Sequence, residues 1–261
     1  MITIPELTRL KQEKQKFACL ALYDAAFARL AEEAGVKLLL VGDSLGMVLH
    51  NKHNTLHVGM DDMRYHTGCV AAGAEQALIM ADMPFASYTT PALAQQNAAQ
   101  LIRAGAHLVK LEGGKQLAEI IPALRNTGIP VCAHLGLTPQ FVNFFGGFKS
   151  QGKEPEQADQ IYEASMFLIE QGANMLLLEC VPAQLAKVIS NESPVPVIGI
   201  GAGWDTDAQV LVAYDALGLN TRKQPRFVRN FLDGAESIQG ALAEYVRAVE
   251  NLDFPTQEHS Y

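Results

Sequence analysis

The sequence predicts a single (β/α)8 barrel, a TIM-type α/β fold with one domain spanning residues 1–261. Short apolar runs of strand length recur eight times along the chain, Ala-rich stretches with helical period separate most of them, and nearly every run ends on an acid, a histidine or a glycine. Alternating strands and helices call for a parallel sheet, because parallel neighbours need a crossover and a helix supplies it. Eight such units in a chain of this length match the barrel. An open doubly wound sheet is the competitor. It normally has five or six strands and gathers its polar ends at one switch point, whereas here polar residues end almost every strand.

The elements follow in order. Residues 1–16, MITIPELTRLKQEKQK, contain a short amphipathic helix expected to cover the bottom of the barrel. The strands are FACLALYD (to Asp24), LLLVGD (to Asp43), ALIMAD (to Asp82), HLVKLEGG (through Glu112), IPVCAHLG (carrying His134), NMLLLEC (through Glu179), PVIGIGAG (to the glycines around Gly201) and QVLVAYD (to Asp215). Helical period marks 25–35, 91–106, 116–128 and 156–173, and Gly35, Gly105, Gly128 and Gly172 stop these helices just before the next strand. Glycine is the usual stop because the left-handed conformation there costs it nothing. The stretch 136–157, GLTPQFVNFFGGFKSQGKEPEQ, is long and rich in glycine and aromatics, a composition typical of active-site lids. FPTQEHSY, within 252–261, is polar and reads as a partly disordered tail.

Composition narrows the function. The chain is 49% hydrophobic and 18% charged with net charge −8, which suits a globular protein. No Lys/Arg stripe offers a nucleic-acid surface. The N-terminus lacks the apolar core of a signal peptide, and no run approaches the ~18 apolar residues of a membrane helix. Cys19, Cys69, Cys132 and Cys180 show no CxxC spacing and read as reduced thiols of a cytoplasmic protein.

The chemistry lies at the strand ends, which meet at one mouth in a parallel barrel. Asp43, Asp82 and Glu112 end strands two, three and four, which are neighbours. Carboxylates brought together without cations repel, and each tends to hold a proton. A divalent cation removes the conflict, and an all-oxygen ligand set favours Mg²⁺ or Mn²⁺ over zinc. The plain alternative for each acid is a cap on the following helix. Lys110 lies two residues before Glu112 and shares its face. It suits the carboxylate of an acid substrate, or a structural aspartate. Glu179 ends the most apolar strand, where burial raises a carboxylate pKa towards that of a general base; the alternative is a structural ion pair. His134 ends strand five, placed either to touch substrate oxygens or to serve as a hydrogen-bonded core residue. His50, His53 and His57 do not have zinc spacing, and GIGAG (199–203) is neither a Walker loop nor a complete GxGxxG.

VGDSLGM, YHT (65–67), ADMPF, KLEGG, HLGLTPQ, GGFKSQG, LLLEC and IGIGAG, in this order from about Phe17 to about Phe231, closely resemble the ketopantoate (3-methyl-2-oxobutanoate) hydroxymethyltransferase family. The resemblance implies a barrel of the phosphoenolpyruvate/pyruvate type. It implies one Mg²⁺ per subunit on Asp43 and Asp82, with Glu112 assisting directly or through water. It places the 2-keto acid on Asp43, Ser44, Asp82 and Lys110, the catalytic base on Glu179, and an active-site histidine at His134. It further implies 5,10-methylenetetrahydrofolate as co-substrate, the first step of pantothenate biosynthesis, a cytoplasmic location and a homo-oligomer, commonly a decamer. Two departures stand out: His57 replaces the proline of the family's TLPV, and Ala208 follows Asp207 where the family reads DGQ. A lyase of the isocitrate lyase type and a catalytically silent barrel are the rival readings. The first relies on a loop cysteine that has no counterpart here, and the second is expected to have lost some of the strand-end acids.

Overall fold

The computed structural model describes residues 1–220 and 224–261. Its eight parallel strands close into a barrel in sequence order, with β8 returning to β1. The elements are α1 (Ile4–Gln12), β1 (Phe17–Ala21), α2 (Ala25–Glu33), β2 (Leu38–Val41), α3 (Leu45–Val48), α4 (Met60–Gly73), β3 (Leu78–Asp82), α5 (Pro91–Arg103) and β4 (Leu108–Glu112). There follow α6 (Ile120–Asn126), β5 (Val131–Gly136), α7 (Val142–Phe145), α8 (Pro155–Glu170), β6 (Met175–Glu179), α9 (Ala183–Glu192), β7 (Val197–Ile200), β8 (Ala208–Val212), α10 (Ala213–Ala216) and α11 (Ile238–Glu250).

Side chains alternate across each strand and so sort the barrel into two cores. Outward residues such as Leu39, Ile79, Val109, Leu135 and Leu178 pack under the helices. Inward residues such as Phe17, Leu38, Leu78, Leu108, Cys132 and Met175 fill the barrel together with Leu7 and Leu10 of α1. The N-terminal helix therefore plugs the bottom, as its amphipathic pattern predicts. Thr3 and Glu6 cap it reciprocally, with the Thr3 backbone N–H donating to Glu6 Oε2 at 2.8 Å. Lys11 Nζ, near its end, donates to Asp207 Oδ2 at 2.7 Å. Leu7 is fully buried. Leu7→Ala is expected to lower stability by about 2–5 kcal/mol, read as a lower midpoint in urea with an unchanged slope.

The four glycine stops have φ between +78° and +113°, in the region where a Cβ is strained. At the other closure, the Tyr245 hydroxyl donates to Cys19 O and Gln209 O, each at 2.9 Å, and ties α11 across the β1–β8 seam.

Three details differ from the sequence reading. Asp24 lies beyond β1 and caps α2, accepting from Ala26 N and Phe27 N at 2.9 Å. Asp215 lies in α10 rather than ending β8, and takes Asn220 Nδ2 at 2.9 Å. The tail packs down: Phe254 is buried, and Tyr261 O accepts from Ala183 N at 3.0 Å. An aromatic residue at each end holds this polar segment in place. All four cysteines are free, and Cys19, Cys132 and Cys180 are buried. Among the described residues no helix is long and apolar enough to cross a membrane.

Candidate active site

The inward parity that fills the barrel with apolar side chains also sets the functional ones. Asp82 continues the Leu78–Met80 row, Lys110 and Glu112 the Leu108 row, His134 the Cys132 row, and Glu179 the Met175–Leu177 row. Strand register then brings them level, pairing Asp82 with Lys110, Glu112 with His134, and Gly136 with Glu179. Asp43 follows β2 in a turn, and its backbone N–H donates to Asp82 Oδ2 at 2.9 Å. Ser44 Oγ lies 2.9 Å from the Tyr23 hydroxyl.

Lys110 Nζ is the hub. It lies 3.1 Å from Asp82 Oδ1, 3.7 Å from Glu112 Oε1 and 3.1 Å from His134 Nδ1. Burial works to lower its pKa, but Asp82, Glu112 and Asp43 outweigh burial and hold it protonated. An ammonium has only protons to give, so Nδ1 of His134 is the bare ring nitrogen. Burial, with the Lys110 charge added, lowers the His134 pKa. The ring is therefore neutral, with its one proton on Nε2, 3.3 Å from Glu179 Oε2.

The acids are under-compensated. Burial and the charges of Asp82 and Glu112 push Asp43 well above the usual carboxylate range. Burial also raises Asp82 and Glu112, although Lys110 pulls both down. Asp82 Oδ1, Glu112 Oε1 and His134 Nε2 are buried without a hydrogen bond. Carboxylates in excess of cations suit a bound cation. The arrangement is not a finished cage: among the described residues, no three His, Cys, Asp or Glu side chains stand ready to hold a metal, and Lys110 contacts both Asp82 and Glu112. Mg²⁺ suits such a place, since it commonly takes one or two carboxylates and leaves its other positions to water and substrate.

Glu179 differs from these three. Its side chain is 16% exposed, while those of Asp82 and Glu112 are 3% and 1%. It sits at the rim rather than in the apolar setting its strand suggests. Its backbone is held tightly. Leu137 N donates to Glu179 O at 2.8 Å, and Gly136 crowds that carbonyl so closely that any Cβ would collide with it. Cys180, next in the chain, has φ +49°, an uncommon conformation for a residue with a side chain. Ser150 Oγ and Gln151 N hold the Cys180 carbonyl at 2.8 and 3.0 Å. The loop expected as a lid is therefore anchored at both ends, while Phe144 projects between them, 85% exposed.

Sequence reasoning missed Tyr23, Tyr88 and Gln140. Gln140 was visible only as the last letter of HLGLTPQ, and nothing in its spacing reveals a partner nearly a hundred residues away. His50, His53 and His57 are exposed. Ala208 opens β8 at the bottom of the barrel, opposite the mouth.

A family model of ketopantoate hydroxymethyltransferase matches residues 1–257. The chain belongs to the ketopantoate hydroxymethyltransferase family. The match extends beyond the motif-bearing region at both ends. A 3-methyl-2-oxobutanoate hydroxymethyltransferase of Marinobacter nauticus is 55% identical over 260 residues, covering 100% of this chain and 98% of the relative. Those of Edwardsiella ictaluri (52%, covering 99% and 98%) and Psychromonas ingrahamii (50%, covering 100% and 98%) are similar. Among solved structures, phosphonopyruvate hydrolase with oxalate and Mg²⁺ has a TM-score of 0.63 at 14% identity, over 84% of each chain. A 2,3-dimethylmalate lyase of the PEP mutase/isocitrate lyase superfamily has a TM-score of 0.61 at 17% identity, also over 84% of each. These two bear on the fold alone.

Proposed function

We propose that this family member transfers a hydroxymethyl group from 5,10-methylenetetrahydrofolate to 3-methyl-2-oxobutanoate, giving 2-dehydropantoate. One observation carries the reading: buried acids in excess of their cations surround Lys110 at the mouth, and the more exposed Glu179 stands at its rim. Asp43 and Asp82 would hold one Mg²⁺, with Glu112 reaching it directly or through water. When bound, the cation supplies Lewis acidity to the keto oxygen and makes the C3 proton easier to remove. The chain's own residues do the rest. Ser44, held by Tyr23, takes the acid together with Asp43 and Asp82, and the Lys110 ammonium neutralises the substrate carboxylate. Glu179 removes the C3 proton. The Nε2–H of His134 faces the Glu179 carboxylate at 3.3 Å and steadies its charge. The C3 carbon then bonds to the methylene carbon of the folate as one of its two carbon–nitrogen bonds breaks and that nitrogen takes a proton. Water then replaces the second nitrogen on the methylene carbon, which gives the hydroxymethyl product and, with a proton on that nitrogen, tetrahydrofolate. Resemblance to the family further supports a cytoplasmic homo-oligomer, a decamer, serving the first step of pantothenate synthesis. Turnover of the keto acid with methylenetetrahydrofolate, measured with and without chelator, tests the reading. Chelator-insensitive turnover removes the cation, and no turnover at all removes the reaction.

The folate brings an aromatic ring system, and the loop bearing α7 offers aromatic surface. Phe141, Phe144 and Phe145 line a cavity of about 250 Å³ with Gly113, Gly136 and Gln157. Phe144→Ala is expected to raise the KM for methylenetetrahydrofolate several-fold, about the ~0.5–1.5 kcal/mol of one ring-stacking contact. Exchange of the keto-acid C3 proton, which needs no folate, should not change. Equal KM values for variant and parent would remove Phe144 from the folate site.

A further inference from the structure

Gln140 is the buried middle residue of the 3-10 turn Pro139–Phe141, and its polar atoms bind two of the acids at once. Its Nε2 donates to Asp43 Oδ2 and to Met83 O, each at 2.9 Å. Its backbone N–H donates to Glu112 Oε2 at 2.9 Å. Its Oε1 accepts from the Tyr88 hydroxyl at 2.6 Å, and that hydroxyl also lies 3.2 Å from Glu112 O and 3.3 Å from Glu112 N. The network fixes the amide orientation, since the reverse would set an oxygen against a carboxylate and a carbonyl.

We infer that Gln140, braced by Tyr88, is a positioning residue that fixes one oxygen of Asp43 and one of Glu112, which leaves the second oxygen of each for the mouth. The physical requirement is specific. Two buried carboxylates need donors to hold their orientation, and a second cationic side chain at this position, beside Lys110, would compete with a bound cation. The side-chain amide orients Asp43, and the backbone N–H of the same residue orients Glu112, without adding charge. Gln140 also ties the root of the loop after β5 to acids that come from β2 and β4. Outer-shell partners of this kind commonly change metal affinity by about 10–100-fold.

The inference rests on the proposed reading of the acids as a cation and keto-acid site. The test compares the parent, Gln140→Met, Tyr88→Phe and the double variant. Free Mn²⁺ is followed by electron paramagnetic resonance without substrate, alongside thermal melting and KM and kcat for the keto acid. Gln140→Met keeps the length and packing of the side chain and removes the side-chain hydrogen bonds to Asp43, Met83 and Tyr88, while the backbone N–H bond to Glu112 remains. It is expected to melt cooperatively, to weaken Mn²⁺ binding about 10–100-fold, and to raise the keto-acid KM more than it lowers kcat. Tyr88→Phe should weaken binding less, and should add nothing in the Gln140→Met background, since the brace then has nothing to hold. Parent-like Mn²⁺ affinity in a folded Gln140→Met overturns the inference. If that variant does not fold, parent-like affinity in Tyr88→Phe overturns it instead. A parent that binds no Mn²⁺ sinks the cation reading itself, and this inference with it.

Discussion

Replacing Glu179 with Gln is expected to leave Mn²⁺ and keto-acid affinity unchanged while lowering exchange of the C3 proton with solvent by about 10²–10⁴-fold. The two effects separate because Glu179 stands apart from the acids that would hold the ligands. Asp43, Asp82 and Glu112 converge on Lys110 and Gln140, whereas the side-chain neighbour of Glu179 in the cluster is His134, 3.3 Å away. A glutamine has nearly the same shape, and its Oε1 can still face the Nε2 proton of His134. It cannot take a proton from carbon. Exchange is followed by proton NMR of the keto acid in heavy water with Mg²⁺ and no folate, so that carbon–carbon bond formation does not obscure it. Undiminished exchange would take the base role away from Glu179. Exchange lost together with ligand affinity would mean that Glu179 belongs to the binding set.

The barrel was legible because its signals are local and repeated. Strand-length apolar runs, helical period and glycine stops each depend on only a few neighbouring residues; seven of the eight strands fall within the runs that carry them, and β8 starts one residue before its run, at Ala208. The misread ends have a shared cause. Asp24 and Asp215 follow apolar runs just as Asp43 and Asp82 do, and nothing local separates a helix cap from a residue of the mouth. Period-two alternation was sufficient to align Lys110 with Glu112, and the order of parallel strands to bring Asp82, Glu112 and His134 together. The Gln140 bridge could not be read in the same way. It joins a loop after the fifth strand to an acid after the second, and such a contact depends on the closed barrel rather than on any pattern along the chain. The burial of Glu179 was misjudged for a related reason: an apolar strand describes the wall behind its last residue, not the solvent in front of it.

Asp82 offers the sharpest contrast between a functional and a structural acid. If it served only as the partner of Lys110, removing its charge would leave a buried ammonium short of a counter-ion and cost about 3–5 kcal/mol. The cluster predicts otherwise for Asp82→Asn. Three carboxylates share one ammonium, and burial raises the Asp82 pKa despite the lysine 3.1 Å away. A pKa higher in the folded than in the unfolded state means that the fold keeps this proton longer. Stability contributed by the group therefore falls as pH rises from the ordinary carboxylate value through the folded one. At neutral pH the burial of the ionised Asp82 and its repulsion from Glu112 oppose its attraction to Lys110, and Lys110 retains Glu112 when Asp82 is neutralised. Asp82→Asn is expected to melt no lower than the parent without a cation. Calorimetric titration with Mg²⁺ and 3-methyl-2-oxobutanoate should show the heat of cation-dependent binding lost, and Asp82→Ala should lose it as well. Such a pairing, function lost while stability is kept, marks an acid retained for its ligand at the expense of the fold. An Asp82→Asn protein that melts well below the parent, or still binds cation and keto acid with parental heat, would return Asp82 to the structural role.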